Sequence, residues 1–271
     1  MHIVYGALFV SVVYPLWLAW VGNRHTTLLQ AINWTAAAWL AWLGVLAFTA
    51  AGERAATLDT ARYLALCLTG CAGVAVLGAR RPGVGAWNFV LLGLLAVMLL
   101  PVAQGLLLGG QPLDPLRLLF LGATLAVGFL NYLPTRLAPA AILLAAGCGW
   151  ELASLANPPL VSSQPMEGVH PGWLCVALAP WVGLLVWRRG GRTSSEFDRI
   201  WLDFRDRFGL VWSQRVREQF NRAAANAGWP VTLYWQGLLR SPGATLEAHT
   251  QDEIVAALRA LLKRFGPDSC H

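Results

Sequence analysis

Charge is what this chain of 271 residues has least of: Asp, Glu, Lys and Arg make up 13% of it, against the roughly 25% usual for soluble domains. An ordinary soluble protein is excluded on that ground. Lysine is nearly missing, with nineteen arginines to the single Lys263. No lysine sits in the seventh apolar stretch, which excludes a retinal Schiff base of the rhodopsin type. Histidine is sparse and badly placed for haem: His25 and His170 fall in loops, and His2, His249 and His271 are terminal or in the tail. There is no HExxH, no GxxxxGK[ST] phosphate loop and no Ser paired with a His inside an apolar stretch, so those metal, nucleotide and acyl-transfer chemistries have no carrier. No internal repeat of the transporter kind is visible. The Arg-for-Lys bias points to a GC-rich bacterial genome.

What is abundant is apolar surface, at 56% hydrophobic residues with a mean hydropathy of +0.52. The charges are unevenly spread: residues 1–187 carry twelve and residues 188–271 carry twenty-two. A bilayer core of roughly 30 Å takes a helix of about 20 apolar residues, and seven stretches approach that length: 3–21, 28–51, 63–79, 87–109, 116–133, 137–156 and 172–187. The seventh is short and holds Pro180, which leaves six spans as an alternative. The first has no basic start or small-residue cleavage site and is expected to be a retained span. The expected fold is therefore all-α: a polytopic membrane helix bundle over 1–188, a Gly/Arg linker at 189–192, and a small α-rich cytoplasmic domain over 193–271.

Orientation follows from excess positive charge on the cytoplasmic side. With the N-terminus outside, Arg24, Arg80, Arg81, Arg136, Arg188, Arg189 and Arg192 fall inside, against Arg54, Arg62 and Arg117 outside. The loop 157–171 has neither Lys nor Arg and faces outward. Trp17, Trp20, Trp34, Trp87, Trp173 and Trp187 lie near span ends, where such rings anchor at the headgroups.

Within the spans Glu151 is the one ionisable residue placed well inside, and a charge there is costly enough to mark a site. Arg117, at the outer end of the preceding span, is its expected ion-pair partner; a proton-carrying or substrate-contacting role is the rival reading. Asn33, Asn88, Asn131 and Gln104 read as interhelical glue worth on the order of 1 kcal/mol each. Cys67 and Cys71 share a helix face but lack a third ligand, and with Cys148 and Cys175 read as small buried hydrophobes. Neither a metal nor another cofactor is expected. Gly105 and Gly109 form a small-xxx-small pair that specifies close packing and little else.

The tail opens with a capping pattern, Thr193 and Glu196, and then a three-and-four apolar spacing through Phe197, Ile200, Trp201, Phe204, Phe208, Val211, Trp212, Val216 and Phe220. Gly209 is a kink point. Val231–Trp235 reads as a short strand or a turn, and Thr250 with Glu253 caps a second amphipathic helix. Phe197, Trp201, Phe204, Phe208, Trp212 and Phe220 offer more aromatic surface than that second helix can cover, so the stripe is expected to dock on lipid or on a partner subunit. Acids interleave with the arginines along the helix, so nucleic acid is not an expected partner. Two functions follow from these features: a non-catalytic subunit or scaffold of a membrane complex, touching lipid and other membrane or cytosolic subunits, or a transporter or small membrane enzyme that uses Glu151. The shortage of intramembrane polar groups favours the first.

Overall fold

The structure is a computed structural model that describes residues 2–80, 84–108, 114–156, 170–190, 195–241, 243 and 247–266. Seven of its helices are long and apolar enough to cross a membrane. The first is two pieces, α1 (His2–Ser11) and α2 (Val13–Asn23). Pro15 explains the break, because its ring excludes the carbonyl of Ser11 and supplies no N–H to it. The others are α3 (Leu29–Ala50), α4 (Ala55–Ala75, continued by a 3-10 turn to Gly78), α5 (Val84–Leu108), α6 (Pro115–Tyr132), α7 (Ala138–Ala156) and α8 (Pro171–Arg188). The seventh stretch is a full helix despite Pro180. The third begins at Ala55, eight residues before the expected start, and takes Asp59 and Arg62 into its first two turns.

Six of the seven close into a ring, in the order α1/α2, α3, α4, α6, α7, α8 and back to α1/α2, while α5 lies outside against α4. Glycine sets two of these seams. A Cβ on Gly73 of α4 would fall 2.8 Å from the Gly128 Cα of α6, so the two backbones touch where they cross. Between α7 and α8, a Cβ on Gly147 would fall 2.7 Å from a Val176 methyl and 2.8 Å from the Gly172 carbonyl oxygen. Gly105 has nothing within 4 Å of its Cβ position, and Gly109 lies outside the described residues. The packing glycines are thus on other helices than the sequence pair suggested. Gly128→Leu is expected to part α4 from α6, cost about 1 to 3 kcal/mol as overpacked cores do, and broaden the main peak in size-exclusion chromatography. An unchanged melting curve for this variant would contradict the crossing.

The C-terminal segment comprises α9 (Glu196–Asn226), the strands β1 (Val231–Tyr234) and β2 (Gly237–Arg240), and α10 (Ala248–Leu262). The strands pair antiparallel, with Tyr234 opposite Gly237, so the segment is α-rich with one hairpin, which the all-α class left out. Val231–Tyr234 takes the strand alternative because it alternates buried and exposed residues, sending Val231 and Leu233 onto α9. Ser195 caps α9 by accepting from the Asp198 N–H. Thr193 lies outside the described residues, and Thr250 sits inside α10, whose cap position is the extended Glu247.

The aromatic stripe of α9 is covered from within the chain. Phe197, Trp201, Phe204, Phe208, Trp212 and Phe220 are all buried, in one cluster with Ile254, Leu258, Leu262 and Phe265 of the tail and with Leu28, Ala31, Val76, Ala79 and Leu91 from helix ends. The reason is the loops 23–28 and 76–80, which present apolar residues to the stripe that α10 is too short to cover alone. A free docking face of these six residues is therefore not what the fold presents.

Candidate functional site

Two polar centres stand out, one where the tail meets the bundle and one at the opposite end of the helices. The first is built on a break in α9. Gly209 has φ 75° and ψ −165°, outside any helical region and open only to glycine. Breaking the helix frees the Phe208 carbonyl and the Val211 N–H, and Asn131, at the end of α6, meets both. Its Nδ2 donates to the Phe208 carbonyl oxygen at 3.4 Å and its Oδ1 accepts from the Val211 N–H at 3.1 Å. Asn131 is 2% exposed. The next residue, Tyr132, donates its hydroxyl to the Arg207 carbonyl oxygen at 3.1 Å. The Asn131 amide is thus the plug of a helix break, a stronger role than interhelical glue.

Beside it sits Asp206, also 2% exposed. Its Oδ1 accepts from Arg205 at 2.8 Å and from the Arg136 backbone N–H at 3.2 Å, while Oδ2 lies 3.4 Å from Arg136 Nε. Arg205 in turn donates to the Trp235 carbonyl oxygen at 2.9 Å, and Trp235 Nε1 donates to the Pro134 carbonyl oxygen at 2.6 Å. Arg205 and Asp206 fall outside the apolar three-and-four stripe of α9. The structure buries both, because the turn after α6 brings an unpaired N–H and an arginine to that face. The other two turns on this side join in. Trp212 Nε1 donates to the Val76 carbonyl oxygen at 3.0 Å, and the Thr27 N–H donates to the Phe265 carbonyl oxygen at 3.0 Å. One turn earlier in α9, burial pushes the Asp203 carboxyl above its usual range against the pull of Arg207, 3.0 Å away. Folding then holds a proton that the unfolded chain releases, so the contribution of this group falls as pH rises past the unfolded value.

The second centre holds Glu151, 2% exposed on α7. Its partner is Arg62 of α4, with Nε 3.5 Å from Oε2. Arg62 also reaches the half-exposed Asp59 at 3.6 Å and lies over the Trp173 ring, 5.8 Å from its centroid. Trp173 lies beside the same carboxylate, stacked on His170. Room for the carboxylate comes from Gly172, where a Cβ would fall 2.6 Å from Oε1. Arg117 does not pair with Glu151; it donates to Gln104 Oε1 at 2.8 Å across the α5–α6 connection. The sequence placed Arg62 outside the third span, which is why the partner was missed, although Asp59 and Arg62 at helical spacing were a usable signal. Asn88 accepts from Trp34 Nε1 at 3.0 Å, and Asn33 is exposed near the start of α3.

Removing Arg62 is expected to hurt more than neutralising Glu151. In Glu151→Gln the arginine keeps Asp59, at a cost of about 1 kcal/mol. In Arg62→Met the buried carboxylate loses the cation it faces, at about 3 kcal/mol. Melting curves in detergent order the two variants, and equal loss in both would contradict the pairing.

Cys67, Cys71 and Cys148 are buried and unbridged, and Cys270 lies outside the described residues. Among the described residues no three of His, Cys, Asp and Glu gather as a metal site would need. Comparison with protein-family models, with curated proteins and with solved structures finds no match for this chain. What the two centres do must be argued from their own chemistry.

Proposed function

We propose that this chain is a non-catalytic, multi-pass subunit or scaffold of a membrane complex in the cytoplasmic membrane of a bacterium. Residues 1–188 form its bundle with the N-terminus outside, and residues 193–271 form a cytoplasmic domain joined through 189–192. The observation that carries this reading is where the polar groups of the spans are spent. Glu151 faces Arg62, Gln104 takes Arg117, Asn88 takes Trp34, and Asn131 holds the tail. A transport path needs polar groups converging near the membrane midplane, whereas these serve internal contacts near helix ends. The cytoplasmic side is supported by Arg24, Arg80, Arg136 and Arg188, which share the tail's end of the bundle. With the aromatic stripe used up internally, the docking surface is the mixed-charge face of the second half of α9, where Arg215, Glu218 and Arg222 are exposed.

Purified from its native membrane in mild detergent, the chain is expected to travel in a stoichiometric complex. Glu218→Lys with Arg222→Glu is expected to release the partner without lowering the melting temperature. A second reading, a transporter or small membrane enzyme, rests on Glu151, which connects through Arg62 to the half-exposed Asp59. It wins if the protein is a lone 29.4 kDa chain whose Glu151→Gln variant loses a measurable transport or enzymatic activity at unchanged yield and stability.

A further inference from the structure

Inside the ring, between the two polar centres, lies a cavity of about 310 Å³. Its walls come from α2, α3, α4, α6, α7 and α8 and are almost wholly apolar. The three hydroxyls on those walls are committed elsewhere. Thr69 donates to the Ala65 carbonyl oxygen and accepts from Trp42 Nε1, Thr35 donates to the Ala31 carbonyl oxygen, and Tyr132 donates to the Arg207 carbonyl oxygen. No ionisable group with a carboxylate, imidazole, ammonium or guanidinium lines it among the described residues. At the end away from the tail, the stacked Phe9 and Trp39 belong to a close-packed cluster with Tyr63 and Trp173. At the tail end, Trp212 is tied to the Val76 carbonyl oxygen beside the cavity wall. Of the two centres only Tyr132 reaches the wall, and its hydroxyl is taken by the Arg207 carbonyl oxygen.

We propose that this cavity is a binding site for one acyl chain of a bilayer phospholipid. Water is a poor occupant, since a buried water needs about 2 to 4 polar partners and the hydroxyls are taken. An empty space forfeits the dispersion contacts of every wall atom. The cavity is not fully enclosed, and its walls belong to helices apolar enough to sit in hydrocarbon, where an acyl chain is the abundant apolar occupant. Its volume is at the floor of the roughly 300 to 1,000 Å³ typical of small-molecule pockets, which suits a narrow flexible chain better than a fused-ring compound. The site is independent of the scaffold reading, because it asks nothing of a protein partner.

The test uses the full chain in vesicles of phosphatidylethanolamine and phosphatidylglycerol that carry a photoreactive diazirine on one acyl chain. After irradiation, adducts are expected on Val176, which is 1% exposed and shielded from bulk lipid, as well as on lipid-facing Phe89. Ala141→Phe fills the cavity from α7 and Ala38→Leu from α3. Each is expected to lower the Val176 adduct about tenfold while leaving Phe89 labelling unchanged. In the unaltered protein, moving the diazirine from the acyl chain to the headgroup is expected to abolish the Val176 adduct, so the outcome does not depend on the variants folding. Lack of a Val176 adduct from chain-labelled lipid, an equal adduct from headgroup-labelled lipid, or stoichiometric recovery of an isoprenoid or quinone in place of phospholipid would each overturn the proposal.

Discussion

Gly209→Ala is expected to be among the most damaging single substitutions in the chain. The added methyl group meets two separate obstacles. At φ 75° and ψ −165° any side chain strains the backbone by about 1 to 3 kcal/mol. The new Cβ would also collide with the Asn131 side chain and fall 2.7 Å from the Asn131 carbonyl oxygen. Relieving the collision moves Asn131 off the Phe208 carbonyl and the Val211 N–H, which are then left unmet at about 1 kcal/mol or more each. A fall in melting temperature on the order of 10 °C follows from such a total. The double variant Asn131→Ala with Gly209→Ala separates the obstacles. It removes the side-chain collision and keeps the backbone strain and the close approach to the residue-131 carbonyl oxygen, so the combined loss should be smaller than the sum of the two single losses. Strict additivity, or a Gly209→Ala protein that melts with the parent, would show that α6 and the broken helix are not coupled.

The parts of this arrangement that periodicity reports are the parts that were legible in the sequence. Seven apolar stretches, the amphipathic tail helix and the kink at Gly209 all follow from spacing and from glycine. The ends of elements were less legible, and the errors had consequences. Asp59 and Arg62 looked like loop residues because hydropathy falls there, but α4 begins at Ala55, and a window that averages hydrophobicity discards a charged first turn. That one boundary decided the partner of Glu151, because it left Arg117, at the outer end of the preceding span, as the nearest outer-side cation on a helix. The tail failed for another reason. An apolar stripe tells how much surface must be covered, but what covers it is a tertiary fact. Leu28, Ala31, Val76 and Ala79 come from helix ends separated in sequence from α9 by more than a hundred residues.

The same limit applies to charge. On a helical wheel Asp206 and Arg205 look like Asp203 and Arg207, the mixed polar face of a solvated helix. The difference is the Pro134 turn, which brings a backbone N–H and the Arg136 side chain to one carboxylate and the Trp235 indole to the carbonyl beside it. No count of charges distinguishes the two pairs. A proline turn between two spans, with an arginine at its exit, is the one local signal that an acceptor is wanted there.

Asp206→Ala is the second large expected effect, and its size comes from what it leaves behind. The Arg205 side chain is 8% exposed, and its guanidinium would stay buried beside Trp235 without the carboxylate that neutralises it. Breaking a buried pair in this way costs about 3 to 5 kcal/mol. The Arg136 guanidinium adds little, because at 35% side-chain exposure it can turn to water. Asp206→Asn keeps an acceptor for the Arg136 N–H and loses only the charge, so it is expected to fall between Ala and the parent. Arg205→Met combined with Asp206→Leu removes both buried charges. The Trp235 carbonyl still accepts from Trp201 Nε1 at 3.3 Å, and the double variant is expected to recover at least half of the loss seen in Asp206→Ala. Limited proteolysis gives an independent readout, since a released tail exposes Arg205 and Arg207 to trypsin while the helices of the bundle stay protected. A double variant as unstable as Asp206→Ala, or an Asp206→Ala tail as resistant to trypsin as the parent, would show that the junction is held by its apolar cluster and not by this carboxylate.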